Sequence, residues 1–69
     1  MTNNDEIKEL KRQYQTIDNQ ITTKVNNLKK LLDTVPIEYI DLPNIATDIR
    51  ILINQRDRIK SEIIANKAF

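Results

Sequence analysis

The sequence predicts an all-α fold: an antiparallel, coiled-coil-like two-helix hairpin that pairs with a second copy as a dimeric four-helix bundle. Three observations carry that prediction. Apolar residues recur at heptad spacing in both halves of the 69-residue chain, Pro36 and Pro43 interrupt the pattern between them, and glycine is absent. Heptad spacing marks a helical seam, proline breaks a helix interior, and without glycine the tight turns of β-hairpins lose their usual material.

In the first half, Ile7, Tyr14, Ile21, Leu28 and Val35 fall on one heptad position, a, and Leu10, Ile17 and Leu31 on the other, d; Lys24 breaks the d series. Register held over four heptads argues for one long helix, expected over about 4–34. Asn3 followed by Glu6 forms a capping-box-like start, and acidic Asp5 suits the positive end of the helix dipole. Pro36 supplies the stop, because its ring disfavours helical geometry at Val35.

The connector, expected over 35–42 within "TVPIEYIDLP", holds Val35, Ile37, Tyr39, Ile40 and Leu42, unusually apolar for a loop. Two readings stand. Ile37, Ile40 and Leu42 can fold down as a plug over Leu31, Leu32 and Ile45, with the Tyr39 hydroxyl left in water. Alternatively the flanking prolines stiffen an apolar knob for a partner, lowering the entropy cost of ordering it.

The second helix is expected over about 43–67. Ile45, Ile49, Leu52, Ile59 and Ile63 follow the same 4-3 spacing, with Arg56 and Asn66 at polar seam positions, and Ala46, Ile53 and Ile64 widen the stripe on one side. Pro43 fits a first turn and Asp41 or Asn44 can cap it.

A connection this short favours antiparallel neighbours. A fold-back near Glu38 and Tyr39 sets Leu28 beside Ile49, Ile21 near Arg56 and Tyr14 near Ile63, with the first helix overhanging by roughly one or two turns. A lone hairpin leaves one side of the seam in water, and Ile51 points away from it. Self-association, most simply as a two-fold dimer, follows as an expectation.

Composition narrows the function. Eleven basic and ten acidic residues leave a net charge of +1, too little for bulk attraction to nucleic acid or an anionic membrane. The start, "MTNNDEIKEL", is acidic and polar rather than signal-like, and the longest apolar run of the second half is "ILI". A soluble, cytoplasmic protein is expected, with no membrane partner. Without cysteine or histidine there is no disulfide framework and no common zinc site. Without glycine, phosphate-cradling loops have no material. The basic pairs Lys11-Arg12 and Lys29-Lys30 are interleaved with acids and lack an aromatic nucleic-acid motif, so a solvated mixed face is expected. Asp5 and Glu9, one turn apart, could hold a divalent ion but fit a solvated pair. With Ser61 as the single serine, no enzyme, cofactor or small-molecule substrate is expected.

What remains is a small non-enzymatic module that binds protein, as an adaptor, inhibitor or chaperone, of a kind that would suit a virus or mobile element. The alternative is a structural subunit of a larger helical assembly. The residues expected to bind protein are Ile37, Tyr39, Ile40 and Leu42 in the connector, Ile51 on the second helix, and the seam cations Lys24 and Arg56. By the expected register the two cations lie about one turn apart, either with their stems snorkelling to the rim or as a notch for a carboxylate.

The stretch "IRILINQRDRIKSEIIANK" resembles the first long helix of the all-helical chorismate mutases through Ile49, Leu52, Ile53, Arg56, Ile59, Ile63 and Lys67. That resemblance implies Arg56 and Lys67 as ligands of substrate carboxylates. It covers about twenty residues of largely generic helix periodicity, and Ala46 stands where that family has an acidic residue. The hairpin with a proline-containing turn is also similar in architecture to type III secretion needle subunits and their small co-chaperones. The compact "PxxP" turn of the needle family is missing, so no residue is carried over from either.

Overall fold

The structure is a computed structural model that describes residues 4–66, all helix and connector with no strand among the described residues. Helix α1, Asn4–Thr34, runs into a single 3-10 turn, Ile37–Tyr39, and helix α2, Leu42–Ala65, folds back along α1. At ~1.5 Å per residue the two rods are roughly 46 and 36 Å long, so the hairpin is a rod itself. Its extents are 52 × 16 × 13 Å and its radius of gyration is 15.6 Å, against ~11 Å for a compact chain of this length.

The breaks between the helices have local causes. Thr34 returns its hydroxyl to the Lys30 carbonyl at 2.8 Å, and the Val35 amide closes the last turn on Leu31 at 2.7 Å. Pro36, at φ −56° and ψ 137°, then leaves helical geometry and opens the 3-10 turn, whose carbonyls accept from the amides of Tyr39 and Ile40. Asp41 caps α2, its carboxylate accepting from the Asn44 amide at 3.4 Å, and Pro43 sits in the first turn where a missing N–H costs nothing. At the far end the Asn66 side chain donates to the Glu62 carbonyl at 2.8 Å. The Asn3 cap and Lys67 lie outside the described residues.

Across the seam Arg56 meets Asp18 at 3.1 Å, one turn along α1 from Ile21, beside which it is expected. Leu28 lines a groove with both Ile45 and Asp48, and Asp5 and Glu6 line another with Glu62 and Asn66. Alignments led by Ile21 and by Asp18 differ by about one turn. The seam is degenerate, because most of its positions are aliphatic in either register. Arg56 is not: opposite Ile21 it would hold a partly buried charge against hydrocarbon, and opposite Asp18 it has a carboxylate.

The core is thin. Only Ile21, Ile40 and Ile63 are buried among the described residues, while Leu31, Leu32, Ile37, Tyr39, Ile51 and Ile64 are exposed. The chain presents 5465 Å² to solvent; a compact monomer of 8.1 kDa would present roughly 4,500 Å², a surplus of about 1,000 Å².

Candidate protein-interaction surface

The connector divides the two readings of its apolar residues. Ile40 leaves the 3-10 turn extended, at φ −100° and ψ 127°, and is buried. It is therefore withdrawn from the set of residues expected to touch a partner and acts as the plug. Leu42, expected in the connector, is the first residue of α2 and half-buried. Ile37 and Tyr39 belong to the turn itself and stand 63% and 78% exposed, so Ile37 does not fold down as the plug reading required. The cause is geometric: the turn holds Ile37–Tyr39 on its outer rim, and only the extended residue after it can reach back to the seam. Beneath the tip, Leu31 and Leu32 stay 37% and 47% exposed because one inward side chain cannot cover both.

The two seam cations have different neighbours. Lys24 is exposed and lines an open groove with Asp48, Ile51, Leu52 and Gln55 of α2. Arg56 is drawn instead to Asp18 and lies within 3.6 Å of Asp57. The hydrogen bond to Asp18 holds the guanidinium more firmly protonated, with Asp57 and Tyr14 adding to the field and burial opposing it. Its Nε is buried with no hydrogen-bond partner among the described residues. Nη1 is engaged with Asp18, so the carboxylate-binding role that the chorismate mutase resemblance implies for Arg56 would share the guanidinium with that ion pair. Asp18 was missed from sequence although a signal existed, since it is the single acidic residue between Glu9 and Asp33.

The two flanks of the hairpin differ in chemistry. One is the groove just described, walled on α1 by Thr16, Asn19, Gln20, Thr23 and Asn27, in which half-exposed Ile51 stands among amides and hydroxyls. On the other flank Asp18, Val25 and Leu32 recur every seven residues along α1, and Ala46, Ile53 and Lys60 along α2. Rows at this heptad position meet on one side of an antiparallel pair. Val25 and Ile53 are half-buried there and Ala46 is exposed.

At the open end, Glu9 is engaged by side chains of its own helix. Arg12 donates to both its oxygens, through Nε at 2.9 Å, and Gln13 donates at 3.3 Å. These hydrogen bonds, that of Arg12 foremost, lower the Glu9 carboxyl to about 2. No group of acidic ligands suited to a metal occurs among the described residues. Likewise no described helix is long and apolar enough to cross a membrane. Comparison with protein-family models, with curated proteins and with solved structures returns no match to this chain.

Proposed function

We propose that this chain is a non-catalytic protein-binding module, an adaptor, inhibitor or chaperone, that completes its core with a second copy and offers the connector tip to a protein partner. The observation that carries this is the imbalance of apolar surface: among the described residues three aliphatics are buried against six large apolar side chains exposed, four of them from Leu31 to Tyr39. Single domains of this size rarely supply their own stability, and there is no cysteine or histidine here to staple one. The surplus of about 1,000 Å² also matches the roughly 800 Å² per partner of a standard interface. A dimeric four-helix bundle is the simplest closed form that hides it. Ile37 and Tyr39, large and projecting from a proline-bounded turn, suit recognition rather than core filling.

The test combines sedimentation equilibrium with affinity capture by the tagged chain from cells that express it naturally. A dimer is expected whose captured partner is lost in the double variant Ile37→Ser, Tyr39→Ser, while its melting temperature is kept. A chain that stays monomeric and whose capture is indifferent to the tip would sink the proposal. Ile64, 53% exposed near the open end, favours the second reading, a subunit that propagates head to tail. Light scattering separates the two, since a closed dimer stops growing with concentration and a propagating subunit does not.

A further inference from the structure

We infer that the partner seated on the connector tip is a protein whose apolar contact surface is rimmed by lysine or arginine. This rests on the tip reading proposed above and gives that partner its chemistry. From Leu31 to Ile49 the chain carries four carboxylates, Asp33, Glu38, Asp41 and Asp48, and no basic residue, although its net charge is +1. All four are exposed, and they stand among exposed Leu31, Leu32, Ile37 and Tyr39. A surface that is apolar and acidic together is matched by one that is apolar and basic, because opposite charges across a rim steer the encounter and like charges reject the wrong partner.

Two of these carboxylates have no electrostatic use inside the hairpin. Farther along the rod, Glu9 is paired with Arg12, and Asp18 and Asp57 both lie against Arg56. Asp33 and Glu38 enter no ion pair among the described residues. Asp33 also falls in the last turn of α1, which contains no basic residue and where the helix dipole presents its negative end. A carboxylate there works against the helix that carries it. Asp41 differs, since it caps α2.

The sign of the charge selects among occupants. A second copy docked tip to tip would oppose carboxylates to carboxylates. Docked head to tail, the tip would meet the groove at the open end, walled by Asp5, Glu6, Glu9 and Glu62. An anionic membrane and a nucleic acid carry the same sign as the tip. A cationic protein surface meets none of these conflicts. Tyr39, 78% exposed beside Glu38, is suited to anchor it, with its ring covered and its hydroxyl left at the polar rim.

The test pans a phage-displayed library of random peptides against the immobilised full chain, then measures the enriched sequences as synthetic peptides. Enriched peptides are expected to combine Lys or Arg with aromatic or aliphatic residues in excess of the unselected library. They should bind the Asp33→Asn, Glu38→Gln double variant roughly fivefold or more weakly, lose affinity as salt is raised, and lose binding to the Ile37→Ser, Tyr39→Ser double variant. The charge-removed variant should melt at the same temperature as the wild type or higher, because Asp33 no longer faces the negative end of α1; weaker binding then cannot come from unfolding. Peptides that need Ile37 and Tyr39 but show no excess of Lys or Arg, or bind the charge-removed variant equally well, overturn the cationic partner and leave the tip standing as a recognition surface. Cationic peptides that bind without Ile37 and Tyr39 reveal mere charge attraction and overturn it too. A sedimentation dimer, or binding to phosphatidylglycerol vesicles, that disappears in the Ile37→Ser, Tyr39→Ser variant puts a second copy or a lipid surface on the tip and overturns it. If no enriched peptide depends on Ile37 and Tyr39, both this inference and the tip reading fall.

Discussion

The two ends of the hairpin are built from the same repeat and solve opposite problems. At the tip, Ile40 turns inward while Leu31, Leu32, Ile37 and Tyr39 remain exposed, so apolar surface is concentrated where the chain reverses. At the open end Ile63 is wholly buried, and the surrounding surface is carried by Asp5, Glu6, Glu9, Arg12 and Glu62. The contrast teaches that heptad spacing alone does not say where a surface is finished. Exposed charges occur at both ends, Asp33, Glu38 and Asp41 among them at the tip, but four large apolar side chains are exposed at the tip against Ile64 at the open end.

The largest effect expected from this contrast concerns the open end. Ile63→Ala should lower stability by roughly 2–5 kcal/mol in a chemical or thermal melt followed by circular dichroism, while Ile64→Ala beside it stays within about 0.5 kcal/mol. Equal losses would mean that the open end is packed on both sides. Next, Ile40→Ala should cost about 2 kcal/mol or more, and Tyr39→Ala close to nothing. A reversal would make Tyr39 the plug and remove the tip as a recognition surface.

Midway between the ends, Asp18→Asn should cost about 1 kcal/mol by leaving the Arg56 guanidinium without its carboxylate. Adding Arg56→Met should restore most of that loss, because an apolar seam residue no longer needs the ion. A double-mutant cycle reads the coupling directly, and additive effects would show that the ion pair does not set the register.

The smallest effect is the pH response of the exposed Glu9. Its carboxyl is lowered in the fold from 4.5 to about 2 by Arg12 and Gln13, so its contribution is complete above the unfolded value and is lost as pH falls through that window. Helicity of the Glu9→Gln variant should be correspondingly less sensitive to acid between those limits, and an identical acid titration of both chains would dismiss the interaction.

Much of this architecture was legible in the chain. Pro36 and the five-fold heptad run bound α1, and Asp41 with Pro43 announces the start of α2, because caps and breakers act through neighbouring backbone groups alone. The fate of the connector was not legible. Ile37 and Ile40 are the same residue type three positions apart, and which one turns inward depends on where the 3-10 turn ends and extended backbone begins. Register was ambiguous for a related reason, since a seam of aliphatics accepts several alignments with little difference in contact energy. The interaction residues expected from sequence divided accordingly: Ile37, Tyr39 and Ile51 lie at the surface, Leu42 is half-buried, Ile40 is in the core, and Lys24 and Arg56 have separate neighbours.

By itself the sequence determined two amphipathic helices, the break between them and the absence of cysteine and histidine, all of which depend on residue type and short-range spacing. Only the tertiary structure decided that Asp18 is the partner of Arg56, that Ile40 rather than Ile37 closes the tip, and that one flank is amide-lined while the other is apolar near the turn. Those outcomes depend on how two rods align. Alignment is settled by a few polar and steric conflicts spread across the whole chain, which no single helix contains.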